Sequence, residues 1–176
     1  MANENEPGSA LRLRSLRPGD EAEFRHAHEV MAAEGFTFGL GFDPAAEWGA
    51  YLKTLENHRR GVGLPDGWVP GTFLVADVDG AIVGRVSVRH WLNDFLEREG
   101  GHIGYGVLPE YRRRGYATEM LHQGLVVARA AGVDRVLVFC DDDNVGSATV
   151  IERCGGKLDS VITDSDGTLA RRYWIS

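Results

Sequence analysis

Hydrophobic residues recur along the chain with two spacings, one typical of strands and one typical of helices. Alternation of apolar and polar residues, as in residues 11–16, predicts a strand with one buried face. Apolar residues three and four positions apart, as in residues 115–131, predict a helix with one buried face. Over the whole chain, the two spacings predict strands at 11–16, 73–78, 81–90, 103–108, 135–140, 158–163 and 169–175, helices at 18–33, 115–131 and 145–154, a helix that starts at Asp43-Pro44, and a short helical or irregular connection at 91–98.

The predicted elements follow the order β-α-α-β-β-β-α-β-α-β-β, which indicates an α/β fold with a mixed sheet and helices on both faces. Residues 135–140 are almost entirely apolar, as expected for a strand in the middle of a covered sheet. The sequence shows no internal repeat and no long linker. We therefore expect a single domain over residues 10–176, preceded by a flexible acidic tail at residues 1–9.

The composition narrows the classes of function. A chain of 176 residues with 43% hydrophobic and 26% charged residues is typical of a folded globular domain. Its formal net charge of -7 excludes a protein that binds nucleic acid mainly by neutralising phosphates. No apolar run is long enough to span a membrane, and the spacing of Cys140 and Cys154 matches no zinc motif. With no secretory segment at its start, the sequence predicts a cytoplasmic protein with no metal site, nucleic-acid partner or membrane partner.

A basic turn interrupts this acidic chain between a predicted strand and a predicted helix. The strand stops at Pro109, the helix begins at Gly115, and Arg112, Arg113 and Arg114 lie between them. A helix N-terminus carries unpaired N–H groups and a partial positive charge, so nearby cations are unfavourable unless an anion binds there. The turn is therefore either a solvated basic loop or a cradle for a pyrophosphate group.

The same turn carries the signature of a known family. Arg112-x-x-Gly115-x-Ala117 matches the pattern Arg/Gln-x-x-Gly-x-Gly/Ala, and here the chain resembles the GCN5-related N-acetyltransferase (GNAT) superfamily. Val107-x-Pro109 stands at the usual distance before this motif. After the next predicted strand, Asn144-Val-Gly-Ser147 and residues 151–156 resemble the segment that follows in the superfamily. The resemblance covers residues 73–176, whereas the first two helices agree with the superfamily only in their order.

The resemblance implies a fold, an activity and a cosubstrate. The sheet would be mixed and mostly antiparallel, with six to seven strands, about four helices on its two faces, and a splay between its two central strands. These strands end near Val107 and Cys140, and the pantetheine arm of acetyl-CoA would lie between them. The implied activity is acetyl transfer to a primary amine, which attacks the thioester directly. The residues implied to bind acetyl-CoA are Tyr105, Val107, Arg112, Arg113, Arg114, Gly115, Tyr116, Ala117, Thr118 and Asn144, with the N–H groups of residues 113–118 at the pyrophosphate.

The catalytic residues are less well defined by the resemblance. Many relatives carry a tyrosine seven residues after the asparagine, as the acid for the departing thiolate, but this chain has Ile151 there. A serine three residues after the asparagine, here Ser147, resembles the branch that acetylates the N-termini of ribosomal proteins. Its role would be in catalysis or in positioning. Where many relatives have a glutamate before Ile/Leu-Gly-Tyr, this chain has His102. An unperturbed histidine pKa is near 6.5, so His102 is a candidate general base, with a hydrogen-bonded structural histidine as the alternative.

The acceptor, the partners and the presence of turnover are left open by the sequence. A small amine and a protein N-terminus both fit the resemblance, and a homodimer is compatible with it. Because Ile151 replaces the usual tyrosine, an acyl-CoA-binding regulatory module without turnover is the alternative function. An enzyme acting on nucleotide phosphates is disfavoured, since the chain lacks the motif Gly-x-x-x-x-Gly-Lys-Ser/Thr. The segments expected around the acceptor are residues 89–93 and the loops that carry Phe36, Phe38, Phe42 and Trp68.

Overall fold

Seven strands and four α-helices follow one another along residues 10–176, the part of the chain that the computed structural model describes. Their order is the predicted one, and the predicted tail at residues 1–9 lies outside the described residues. None of the helices within residues 10–176 is long and apolar enough to cross a membrane. The elements are β1 (Arg12–Arg14), α1 (Glu21–Ala32), α2 (Trp48–Arg59), β2 (Gly71–Val78), β3 (Ala81–Arg89), β4 (Ile103–Val107), α3 (Tyr116–Ala130), β5 (Val136–Asp141), α4 (Val145–Arg153), β6 (Lys157–Thr163) and β7 (Leu169–Ile175), with 3-10 turns at Pro18–Asp20 and Pro109–Tyr111 and a π-helical turn at Leu96–Gly100.

The strands form two antiparallel sheets, with the orders β1-β2-β3-β4 and β5-β7-β6. The sheets are joined beside β4 and β5, where the N–H of His102 donates to the carbonyl oxygen of Leu137 at 2.7 Å. Beyond this point, no backbone hydrogen bond among the described residues joins Ile103–Val107 to residues 138–141. The predicted α/β fold is confirmed, and the predicted splay lies between β4 and β5.

Helices cover both faces of the sheets and enclose two hydrophobic cores. Side chains alternate along β4, so Ile103 and Val107 contribute to the core under α3 and α4. On the other face of β4, a Cβ atom added to Gly106 would lie 2.6 Å from the ring of Phe36, so only glycine allows this close approach. The fully buried side chains of the α3 and α4 core include Met120, Leu121, Ile151 and Tyr173, and those of the α1 and α2 core include Phe24 and Phe38.

The start of α2 is where the structure departs most from the predicted elements. The helix begins at Trp48, although Asp43-Pro44 was expected to open it. Oδ1 of Asp43 instead accepts the N–H of Ala45 at 2.9 Å, and its carbonyl oxygen accepts the N–H of Ala46 at 2.9 Å. Asp43-Pro44 thus begins a separate turn, because the same side-chain oxygen that caps helices also closes short turns.

Candidate active site

The first turn of α3 presents a row of unpaired backbone donors. Gly115 precedes the helix with a φ of 81°, and Arg113 has a φ of 63°, so the chain passes twice through the left-handed region. Within residues 10–176, none of the N–H groups of residues 113–118 donates to a protein acceptor. Successive N–H groups in such a turn form a concave anion site, and the helix dipole strengthens it. The donors required by the predicted pyrophosphate cradle are therefore free.

The side chain of Arg112 makes its contacts with other protein groups and does not add its charge to the row of unpaired N–H groups. Its Nε donates to the carbonyl oxygen of Val107 at 3.0 Å, and its guanidinium pairs with the carboxylate of Glu34 at 2.6 Å. The pair lowers the pKa of Glu34, chiefly through the hydrogen bond. Arg112 thus links the end of β4 to the segment after α1, although the sequence placed it among the residues that bind the anion.

Arg113 and Arg114 are the arginines of the turn whose charges are not balanced. Both side chains are exposed, and neither pairs with a carboxylate of the described residues. The guanidinium of Arg114 lies 5.6 Å from the ring centroid of Tyr111, and its Nη2 donates to the carbonyl oxygen of Glu110 at 3.2 Å. Two positive charges therefore remain beside the unpaired N–H groups.

His102 lies at the point where the two sheets are joined. Its side chain is buried, and Nδ1 accepts the N–H of Leu137 at 2.9 Å, so Nε2 carries the proton of the neutral ring. Burial and, secondarily, the charge of Arg89 lower the pKa of His102 to about 4. The ring is neutral at pH 7, but a group with so low a pKa is a weak base and its acceptor nitrogen is already in use. This placement supports the structural alternative over the role of general base.

A hydrogen-bonded pair of hydroxyl groups bridges β4 and α4. The phenol oxygen of Tyr105 lies 2.6 Å from Oγ of Ser147, in the first turn of α4. Asn144 caps this helix, because its Oδ1 accepts the N–H of Ser147 at 3.0 Å. Burial is the main cause that raises the pKa of Tyr105 to about 12, so the phenol keeps its proton at neutral pH. Ile151, at the position of the usual tyrosine, is fully buried in the core.

A cavity of about 870 Å³ lies between α2, the ends of β2 and β3, and the π-helical turn. Its lining includes Trp68, Arg89 and Asn93, which the sequence placed around the acceptor. Phe38 was expected there as well, but its side chain is fully buried in the core under α1 and α2. The cavity is large enough for an organic molecule of moderate size, since ligand pockets commonly measure roughly 300–1,000 Å³.

Comparison with known families agrees with this geometry. Residues 10–157 match the family model of the acetyltransferase (GNAT) domain. The chain belongs to the GNAT acetyltransferase family. The match confirms the superfamily that the arginine and glycine motif indicated, whereas the nearness to the ribosomal-protein branch stays a prediction.

Curated relatives of this GNAT chain include two mycothiol acetyltransferases. The one from Thermobispora bispora is 30% identical, and the alignment covers 82% of this chain and 46% of the relative. The one from Streptomyces griseus subsp. griseus is 33% identical, with coverages of 81% and 48%. This chain therefore spans about half the length of these relatives.

Solved structures share the fold over nearly the whole GNAT chain. RimJ of Mycobacterium smegmatis, in complex with CoA-disulfide, superposes with a TM-score of 0.68 at 19% identity, over 96% of this chain and 83% of RimJ. The yncA structure from Salmonella typhimurium, with its cofactor acetyl-CoA, gives 0.63 at 15% identity, over 95% and 94% of the two chains. At these identities the likeness shows the fold alone.

The sequence predicted the backbone features of this region of the GNAT chain better than its side-chain contacts. The turn with unpaired N–H groups lies where the proline and glycine signals predicted it, and the splay lies where the family resemblance implied it. The sequence did not indicate the phenol of Tyr105 as a partner of Ser147, since only the folded chain brings together residues that are 42 positions apart. Within residues 10–176, no group of three or more His, Cys, Asp or Glu side chains is placed to hold a metal ion.

Proposed function

We propose that the protein transfers the acetyl group of acetyl-CoA to a primary amine, by direct attack of the amine on the thioester. The observation that carries this proposal is the continuity of the splay with the row of unpaired N–H groups of residues 113–118. An open pair of strand edges that leads to an anion cradle fits a ligand with a long polar arm and a pyrophosphate. Family membership supports acetyl-CoA as that ligand.

The chain offers a separate contact for each part of acetyl-CoA. The N–H groups of residues 113–118 would bind the pyrophosphate, with added attraction from Arg113 and Arg114. The backbone N–H and carbonyl of Tyr105 and the N–H of Val107, which face away from β3, would pair with the amides of the pantetheine arm. Asn144 uses its Oδ1 as a helix cap, which leaves its Nδ2 as a donor toward the arm. Bound in this way, acetyl-CoA supplies the activated acetyl group.

We assign the proton for the departing thiolate to the Tyr105 phenol. Tyr105 stays protonated at neutral pH, and Ser147 fixes the orientation of its hydroxyl group. A donor in this position stabilises the negative charge that develops on sulfur. Tyr105 would therefore do from β4 what the tyrosine at the position of Ile151 does in many relatives.

The amine must lose a proton before it attacks, since an alkyl ammonium has a pKa of about 10. His102 does not suit this task, because its Nδ1 is occupied and its pKa is low. We assign the proton to solvent water that reaches the acceptor. His102 would then hold β4 and β5 together at the closed end of the splay.

The proposed function is tested by release of CoA thiol from acetyl-CoA in the presence of an amine panel. The panel contains amino acids, short peptides, polyamines and aminoglycosides, and calorimetry measures acetyl-CoA binding in parallel. We expect thiol release that depends on an amine and is matched by an N-acetylated product. Tight binding of acetyl-CoA without thiol release from any amine would instead favour the regulatory module.

A further inference from the structure

Arg89 places a positive charge on the wall of the 870 Å³ cavity. Its Nη1 donates to the carbonyl oxygens of Gly100 and Gly101, at 3.1 and 3.3 Å. No described carboxylate pairs with it, and neither its Nε nor its Nη2 has a protein acceptor within residues 10–176. Burial lowers the pKa of Arg89, because the charged guanidinium is less stable away from water. The cavity thus contains a cation with unused donors and no counter-ion from the described chain.

Arg85 adds a second uncompensated charge close to the first. This residue is buried, and its guanidinium donates to the carbonyl oxygens of Phe38, Thr37 and Gly104. Burial and the charge of Arg89 lower the pKa of Arg85 to about 9. Its hydrogen bonds are made by neutral groups, so the carbonyl oxygens hold Arg85 in place without cancelling its charge. Of these two arginines, Arg89 lines the cavity and has N–H groups without a protein acceptor among the described residues.

The other groups that line the cavity leave this positive charge unbalanced. Asp66 and Asp94 are exposed at the rim, where water screens them, as it screens Arg98. Burial lowers the pKa of His58, so its ring is neutral at pH 7. The remaining lining is mainly apolar and aromatic and includes Leu55, Trp68, Phe73, Phe95 and Leu96.

The cationic wall lies next to the closed end of the splay. Gly100 and Gly101, which accept from Arg89, immediately precede His102. Gly104 follows on β4, and a Cβ atom added there would lie 3.4 Å from Oγ of Ser87 and 3.9 Å from Nη1 of Arg89. An acceptor held by Arg89 would therefore be within a short reach of the strand that borders the thioester site.

We propose that this cavity selects acceptor amines that also carry a carboxylate, and that Arg89 binds the carboxylate. The inference rests on the proposed function, because it names the acceptor class of that site. A planar guanidinium with free donors matches a carboxylate in shape and charge, and the aromatic lining fits an apolar side chain. The same positive charge disfavours polyamines, whose further ammonium groups would be repelled. An α-amino acid or a short peptide with an apolar residue has the three required features, namely an amine, a carboxylate and an apolar side chain.

Binding of reaction products tests the recognition without any turnover. N-Acetyl-L-phenylalanine and N-acetyl-L-phenylalaninamide differ mainly in the carboxylate, and calorimetry compares their dissociation constants. We expect the wild type to bind the carboxylate form about 10- to 100-fold more tightly, the range typical of a hydrogen bond to a charged group. Arg89→Gln should reduce this preference to less than about threefold, and Arg89→Lys should keep part of it.

Arg98→Gln serves as the matched control, since Arg98 lines the same cavity at its exposed rim. We expect this variant to retain the preference for the carboxylate. Equal binding of both products by the wild type would overturn the inference, even if the Arg89 variants fail to fold. Loss of the preference in Arg98→Gln, with retention in Arg89→Gln, would also overturn it.

Thiol release with L-phenylalanine and L-phenylalaninamide separates this inference from the proposed function. Both are assayed with wild type and Arg89→Gln, so that the different amine pKa values cancel in the ratio. Turnover of either amine with no effect of Arg89→Gln on the ratio would reject the carboxylate site and leave acetyl transfer standing. A carboxylate preference in binding, together with no thiol release from any amine, would contradict the proposed function while the anion site remains.

Discussion

At the residue scale, the Tyr105 phenol is the group on which the proposed chemistry depends most. Tyr105→Phe removes the hydroxyl and keeps the ring, so the thiolate would depart without a proton donor. We expect kcat to fall about 100-fold, the lower end of the range for general acid–base catalysis. The dissociation constant for acetyl-CoA should stay within about threefold of the wild-type value. Steady-state thiol release and calorimetry measure the two quantities.

Tyr173→Phe is the control for this variant, because it removes a buried tyrosine hydroxyl that bonds to Glu152 instead. We expect its kcat to stay close to that of the wild type. Ser147→Ala should reduce kcat less than Tyr105→Phe does, since it removes only the partner that orients the phenol. A Tyr105→Phe enzyme with wild-type kcat would assign proton donation to another group.

His102 gives a prediction about the pH dependence of stability. The pKa of His102 is about 4 in the folded chain and near 6.5 when unfolded, so the unfolded state binds more protons between these values. The stability that comes from a neutral His102 is complete above pH 6.5 and is lost as the pH falls toward 4. At 1.36 kcal/mol per pKa unit, the loss between pH 7.5 and pH 5 is about 2 kcal/mol.

Urea unfolding of the wild type and His102→Asn at pH 7.5 and pH 5 measures this loss. Asparagine retains a side-chain acceptor for the N–H of Leu137 but does not titrate. We expect the stability difference between the two proteins to shift by about 2 kcal/mol in favour of the variant at pH 5. A difference that is the same at both pH values would mean that His102 titrates normally in the fold.

At this scale the sequence singled out His102 and Ser147, but it did not show the contacts that they make. Ile151 and His102 stand out because they depart from a familiar pattern at fixed spacing. Burial decides what a histidine does, and the burial of His102 depends on its contact with Leu137 across two sheets. Pairing of Tyr105 with Ser147 is likewise a contact between distant segments, which local spacing does not encode.

At the element scale, the turn before α3 gives different surroundings to Arg112 and Arg113, which look equivalent in the sequence. Arg113→Gln removes an exposed charge beside the unpaired N–H groups, and we expect acetyl-CoA binding to weaken about 3- to 10-fold at low salt. The difference should shrink at 0.5 M salt, because the Debye length then falls to a few Å, from about 10 Å at 0.1 M. Calorimetry at two salt concentrations measures it.

Arg112→Gln is the matched variant in the same turn. The charge of Arg112 is already balanced by Glu34, so we expect a smaller change in acetyl-CoA affinity than for Arg113→Gln. A larger effect of Arg112→Gln would place the anion on the Val107 side of the turn. In that case Arg112 would exchange its carboxylate partner for the ligand.

Glycine, proline and periodicity signals predicted most helices and strands, and they also explain why the start of α2 was predicted wrongly. α3 was predicted to within one residue at each end, because Gly115 and Gly132 lie just outside a strongly periodic segment. The predicted start of α2 was wrong by four positions, since Asp43-Pro44 suits both a helix cap and a turn. Which of the two forms depends on the packing of Trp48 against Phe24, with ring centroids 5.1 Å apart.

At the scale of the whole molecule, the splay between the two sheets organises the site. The order of the elements along the chain was predictable, but the division into sheets of four and three strands was not, because it depends on pairings between distant segments. The net charge of -7 predicts that the protein has no broad polyanion-binding surface, but this total does not reveal two local clusters of positive charge. One is the turn before α3, and the other is the pair Arg85 and Arg89 inside the fold.

Acetyl-CoA binding at the N-terminus of α3 underlies every step proposed for this chain, and one calorimetric comparison tests it. Gly115→Val and Gly132→Val place the same side chain at opposite ends of α3, where φ is 81° and 92°. Neither added Cβ would meet a protein atom within 4 Å, so both variants should carry a similar backbone strain of about 1–2 kcal/mol. We predict that Gly132→Val binds acetyl-CoA like the wild type and that Gly115→Val shows no measurable binding. Wild-type affinity in a folded Gly115→Val protein would mean that acetyl-CoA does not bind at this turn.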